Sequence, residues 1–133
     1  MYRNLKSITS GILLTIVILF SGCSEDVETL SNTDKVKNSV MNFDKSITVG
    51  QAFDNWNKCK NKKWEEFTTD NQKQIVEFTC KVNSFDCIVQ WSINLDNTTK
   101  IIYAKLLTKK DGKVLEKRIT KGQLIKAIYA NKG

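Results

Sequence analysis

Residues 74–95, QIVEFTCKVNSFDCIVQWSINL, decide how this chain folds. Val76, Phe78, Cys80 and Val82 alternate with Ile75, Glu77, Thr79 and Lys81, and beyond a polar break Cys87, Val89, Trp91, Ile93 and Leu95 alternate with Ile88, Gln90, Ser92 and Asn94. A period of two sends successive side chains to opposite faces, so each half reads as a strand with one strongly apolar face. The intervening KVNSFD is short enough to close a hairpin.

Working outward, TKIIYAKLLTKKDGKVLEKR (99–118) supplies a third strand, an Asp111-Gly112 turn and a shorter fourth strand. KWEEF (63–67) reads as an edge or leading strand joined to the hairpin by a polar turn around Asp70-Asn71. The chain contains no proline, so charges such as Lys105 and Lys117 are the available edge protection.

On either side of the strands the period changes. SITVGQAF (46–53) and RITKGQLI (118–125) share I-T-x-G-Q. Thr48 with Gln51, and Thr120 with Gln123, have capping-box spacing, in which cap and third residue satisfy each other's orphan backbone donors. Helical apolar spacing follows each: Val49, Ala52, Phe53, Trp56 and Cys59, then Leu124, Ile125, Ile128 and Tyr129. Ile47 and Ile119 precede the caps as staple residues toward Ala52 and Leu124. The repeat thus reads as two similar helix starts. The functional alternative is anion binding at first turns containing Gly50 and Gly122, but one glycine lacks the density of a phosphate loop. The expected fold is α+β: a helix, an antiparallel four- or five-stranded meander and a C-terminal helix. Both helices cover the face that carries Phe78, Val89, Trp91 and Ile93, making two layers.

The N-terminus has another character. Arg3 and Lys6 precede the 13-residue apolar run Ile8–Phe20. As a helix this run spans about 20 Å against roughly 30 Å of hydrocarbon, which suits a signal-peptide core better than a membrane span. LFSGC (19–23) then resembles the lipobox of bacterial lipoproteins, with Phe20 where leucine is commonest. The resemblance implies cleavage after Gly22 and diacylglycerol on Cys23. It also implies an envelope location, in the outer membrane if the host has two membranes, because Ser24 is not the aspartate of inner-membrane retention. Residues 1–22 would be removed and residues 23–35, with Glu25, Asp26, Glu28 and Asp34, would form a lipidated terminus and flexible linker. The domain is expected over 36–133.

Removal of residues 1–22 lowers the formal charge from +7 to +5. Nine basic residues fall within 105–133, against Asp111 and Glu116. Lys109, Lys110, Lys113, Lys117, Arg118 and Lys121 form the candidate basic contact surface. In an exported protein, anionic headgroups, wall polymers or an acidic protein suit that charge better than nucleic acid. An ordinary solvated surface is the plainer reading.

Apart from Cys23 the chain has Cys59, Cys80 and Cys87. A two-residue turn at Asn83-Ser84 sets Cys80 opposite Cys87, and a disulfide between them at a non-hydrogen-bonded pair is the expectation. Moving the turn to Ser84-Phe85 offsets Cys80 and makes a bridge from Cys59 competitive.

The chain has no histidine, which excludes histidine-dependent nucleophilic triads and weakens any zinc assignment. Glu65 and Glu66 are strand neighbours on opposite faces, unsuited to flanking one bond. Cys59, between Lys58 and Lys60, is better read as buried or bridged than as a nucleophile. Trp56, Trp64, Trp91, Tyr103 and Tyr129 offer ring surface, although their phases place most of them in the core. No enzyme activity, cofactor or metal is expected.

SITVGQAFDNW, followed by KWEEF and QIVEFTCKV, resembles a group of small bacterial exported or membrane-tethered domains. These carry a [ST]-[IV]-G-x-A-F-[DN] helix start, a W-x-x-F strand and a V-x-F strand. The resemblance covers roughly 36–105 and implies a fold but no site residues. In architecture alone, helix then meander is similar to outer-membrane assembly lipoproteins and secreted inhibitor domains. The functional expectation is a non-catalytic envelope lipoprotein, held to the membrane by its lipid and binding an envelope protein as an assembly module. The alternative is a surface inhibitor or exclusion factor that blocks an incoming enzyme, phage or conjugative partner.

Overall fold

The central hairpin closes at Asn83-Ser84, with Val82 opposite Phe85 and Cys80 opposite Cys87. Asn83 adopts φ 58°, a left-handed conformation that asparagine tolerates well. The computed structural model describes residues 30–130. The chain divides after Ser31, and the fold described is that of the unit beginning at Asn32. The expected signal peptide, Cys23 and the expected linker as far as residue 29 lie outside the described residues.

Five strands form an antiparallel meander in the order β3-β4-β5-β6-β7: β3 Lys60–Thr68, β4 Gln74–Val82, β5 Phe85–Ile93, β6 Thr99–Lys110 and β7 Lys113–Glu116. Before them come α1 (Asn32–Asn38), a two-stranded ribbon of β1 (Val40–Met41) and β2 (Asp44–Thr48), and α2 (Val49–Asp54). The helix α3 (Lys121–Tyr129) ends the described chain. This is the expected α+β class, with five strands rather than four. Asp111 and Gly112, at φ 53° and 77°, make the tight β6–β7 turn that the Asp-Gly pair encodes.

Both capping boxes form. Thr48 Oγ1 accepts from the Gln51 amide at 3.1 Å while Gln51 Oε1 accepts from the Thr48 amide at 2.8 Å, and Thr120 with Gln123 repeats this at 3.1 and 2.9 Å. The two glycines differ. A Cβ on Gly50 would lie 2.9 Å from Lys37 Cβ and 3.1 Å from the Lys37 carbonyl, so Gly50 is where α1 and α2 approach backbone to backbone. Gly122 has open space around it.

The helix α2 is shorter than its apolar spacing suggests. It stops at Asp54, and Trp56 and Cys59 reach the core through two turns, Trp56 N–H to Phe53 O and Cys59 N–H to Trp56 O, both 3.3 Å. The unanticipated elements are α1 and the ribbon. Starting at Asn32, α1 takes residues 32–35 into the domain instead of leaving them in a linker. Val36 is wholly buried, and the Thr33 amide and hydroxyl both donate to Glu66 Oε1, at 3.0 and 2.8 Å. A seven-residue helix with one buried residue leaves too weak a periodicity to read.

The core lies between the helical layer and one sheet face. Phe53 is its hub, with ring centroids 5.0 Å from Phe78, 5.1 Å from Trp91 and 6.0 Å from Trp64. The other sheet face carries Lys63–Glu65 and Lys81–Asp86 ion pairs, a Lys105–Glu116 pair and a Gln90–Glu77 hydrogen bond, with Ile75, Ile88 and Tyr103 set among them. One covered face and one wet face are what the alternation in β4 and β5 requires.

The disulfide expectation is corrected. Cys80 is bonded to Cys59, at a Cα–Cα distance of 5.7 Å, and Cys87 is a free, fully buried thiol. The turn did not slip: Asn83-Ser84 is in place. Its flanking pair, Val82 and Phe85, has the position that exchanges hydrogen bonds across a two-residue turn. Pair types alternate, so Cys80 and Cys87 return to the hydrogen-bonded type, where side chains stand farther apart. Meanwhile the turns after α2 deliver Cys59 directly over Cys80.

Candidate functional site

The turn-rich ends of three elements leave a concavity. The ribbon contributes residues 39–43, the ends of β5 and β6 contribute Trp91 and 97–101, and α3 contributes residues 121, 122, 125 and 126. The cleft holds about 800 Å³. That is within the roughly 300–1,000 Å³ of small-molecule sites. Its apolar surface comes from Met41, Phe43, Trp91, Ile101 and Ile125. Phe43 and Val40, in the ribbon wall of the cleft, remain about half exposed, at 50% and 47%.

Local chemistry places these groups. Ser39 accepts the Val49 amide through its carbonyl at 2.9 Å, pinning the ribbon's root, while Phe43 at the tip lies edge-on to Tyr129 of α3 at 5.0 Å. The β5–β6 connection is a tight loop with Asn97 at φ 68°, and the Lys35 ammonium donates to Asn97 Oδ1 at 3.1 Å. Asp96 accepts from the Thr98 hydroxyl and amide, which holds its carboxyl below the usual range. On α3, residues 121, 122, 125 and 126 share one face by the i, i+4 rule.

Charge is one-sided. Lys100, Lys121 and Lys126 line the cleft and are exposed, and no aspartate or glutamate is among the lining residues. Lys121 Nζ donates to the Ile101 carbonyl at 3.4 Å, which fixes α3's first turn against β6. The capping box uses the Gln123 amide, so the Lys121 and Gly122 amides have no intrahelical partner by the geometry of a helix start. The indole N–H of Trp91 is buried with no hydrogen-bond partner, as is the Tyr129 hydroxyl. Burial, and secondarily Asp44, pushes Tyr129 up to about 12, so it stays neutral.

The structure divides the six basic residues expected as one surface into two groups of three. Lys109, Lys110 and Lys113 surround the β6–β7 hairpin tip, whereas Lys121 sits beside Ile101. Eight residues of extended strand separate Ile101 from Lys109, about 26 Å. Lys117 lies over the Phe85 ring at 5.2 Å, and Lys117, Arg118 and Lys121 together line a smaller recess with Lys105 and Glu116. Only Lys121 belongs to the cleft. Lys100 and Lys126 were missed as site residues, because nothing in the sequence signals that the ribbon would complete a wall beside them.

The other candidates resolve into structure. Glu65 pairs with Lys63 on the open face, while Glu66 is held by Thr33, and that hydrogen bonding lowers its carboxyl from the ordinary 4.5. Cys59 is bridged, and burial pushes the Cys87 thiol up to about 12, far from a nucleophile at neutral pH. Trp56, Trp91 and Tyr129 are core residues at 3%, 1% and 3% exposure. Half-buried Trp64 donates its indole N–H to Asp54 at 2.9 Å. Among the described residues no cluster could hold a metal ion, and no helix is long and apolar enough to cross a membrane. No family model, curated protein or solved structure matches the chain.

Proposed function

We propose that this protein is a lipid-anchored, non-catalytic binding module of the bacterial cell envelope, and that it binds through the cleft between the ribbon, β6 and α3. The anchor rests on the order of Arg3 and Lys6, the apolar run 8–20 and LFSGC at 19–23. The observation that carries the binding role is the pairing of half-exposed Phe43 with three lysines around one apolar concavity. Such a surface attracts a partner that presents negative charge beside an apolar portion. A tether through Cys23 keeps the domain close to the membrane and its proteins, which raises the effective concentration of either kind of partner.

The test is site-specific photocrosslinking in native membranes, with benzophenone at position 43 and, as control, at Thr79 on the open sheet face. The proposal expects a discrete adduct from position 43 that weakens in Lys121→Glu/Lys126→Glu, and none from position 79. Equal, diffuse labelling from both positions would contradict it.

A further inference from the structure

Resting on that reading of the cleft, we infer that its occupant is a single-chain anionic amphiphile: one acyl chain ending in a carboxylate or phosphate. Two observations converge on this chemistry. The lining is apolar over Met41, Phe43, Trp91, Ile101 and Ile125, which come from the ribbon, β5, β6 and α3. An acyl chain gains about 0.8 kcal/mol for each methylene it buries, and a cleft of about 800 Å³ takes one chain.

The second observation is the charge. All three titratable side chains of the lining are lysines, so a cation is repelled and a neutral chain leaves the ammonium groups unmatched. Lysine is a mobile point charge, which suits a headgroup that settles at varying depth better than a fixed bidentate partner. Lys126 follows Gly122 by one turn and Lys121 precedes Ile125 by one turn, so ammonium groups flank the apolar patch on the same helix face.

Gly122 adds to the case. Its counterpart Gly50 is covered by α1, but nothing lies within 4 Å of a Cβ built at Gly122. The same I-T-x-G-Q start is therefore closed in α2 and open toward the cleft in α3.

The experiment uses the full-length chain in neutral phosphatidylcholine vesicles and follows tryptophan fluorescence during titration with dibromostearate, whose bromines quench a nearby indole on contact. Methyl dibromostearate is the neutral comparison, and a brominated lysophosphatidic acid distinguishes a phosphate from a carboxylate headgroup. We expect saturable quenching by one or both anions and roughly tenfold weaker binding in Lys121→Glu/Lys126→Glu. Higher salt should weaken it in the same direction. Lys109→Glu/Lys113→Glu, at the distant hairpin tip, should bind as the parent does; because Lys121 also donates to the Ile101 carbonyl, binding is compared at a temperature where circular dichroism shows every variant folded.

Quenching that never saturates, that is equal for the methyl ester, or that falls equally in the hairpin-tip variant would overturn the inference. If it fails while photoadducts at position 43 persist, the cleft binds something else and the broader proposal stands. If both fail, the cleft is not a binding site.

Discussion

Removing Cys59 gives the sharpest test of the packing described. In Cys59→Ala, Cys80 keeps its place opposite Cys87, the pairing that the hairpin alone suggests. Cys59 and Cys80 are 21 residues apart. On the chain-entropy model a loop of that length stabilises by about 3 kcal/mol. For a domain of this size the loss corresponds to a fall of roughly 12–24 °C in melting temperature. Loss of the buried sulfur of Cys59, which is 6% exposed, adds a smaller packing cost. Because Cys80 and Cys87 form a hydrogen-bonded pair, we expect them to remain thiols, so the variant should titrate two more thiols in denaturant than it shows when native. The assay is thermal unfolding together with maleimide counting, with and without reductant. Reductant should destabilise the parent by about the same amount and leave the variant unchanged. A variant that oxidises to a Cys80–Cys87 bridge and melts near the parent would refute the argument from pair type.

Other perturbations separate further parts of the account. Phe53→Ala removes the ring at the centre of the aromatic cluster and should cost about 3–5 kcal/mol in denaturant unfolding; a cost under 1 kcal/mol would mean that the cluster is not the core. Gly50→Ala should destabilise, because its Cβ would meet Lys37 at 2.9 Å, whereas Gly122→Ala should be neutral or stabilise by up to about 1 kcal/mol through helix propensity. Equal effects would deny the close approach of α1 and α2. Glu66 is held below its ordinary 4.5 chiefly by the hydrogen bond from the Thr33 amide, so the folded state binds its proton less readily than the unfolded state. Its contribution is present above about pH 4.5 and disappears as pH falls through the lowered value. Hydrogen exchange should show α1 loosening in that acid range, and Glu66→Gln should remove the pH dependence. Cys87 acts in the opposite direction: its thiol, raised from 9.0 to about 12, favours the fold below pH 9, and that contribution declines as pH rises toward 12. The loss of stability between pH 9 and 12 should therefore be smaller in Cys87→Ala, and what remains above pH 10 is the part owed to Tyr129, likewise raised from 10.0 to about 12.

The strands were legible because one face of β4 and β5 is dry and the other wet, so Val76, Phe78, Val89 and Trp91 keep a strict alternation. The capping boxes were legible because each is a local exchange of hydrogen bonds between residues three apart. What escaped the sequence depends on tertiary position. The helix at Asn32–Asn38 is held by Val36 and by Thr33's bonds to Glu66, 33 residues away. The bridge from Cys59 depends on two turns that continue the apolar spacing of α2 without its helix. The cleft joins residues from the ribbon, β6 and α3, and sequence patterning identified only Lys121 among its lysines. Basic residues that looked continuous between Lys109 and Lys121 were separated by the length of β6.

The most direct test of the central claim is mass spectrometry of the protein isolated from its native membrane, first intact and then after alkylation in denaturant. The account predicts a chain beginning at Cys23 with acyl groups attached, and one alkylated thiol, Cys87, without reductant. A chain that retains residues 1–22, or a Cys23 that takes up alkylating reagent, would contradict the anchor and with it the envelope-tethered binding module.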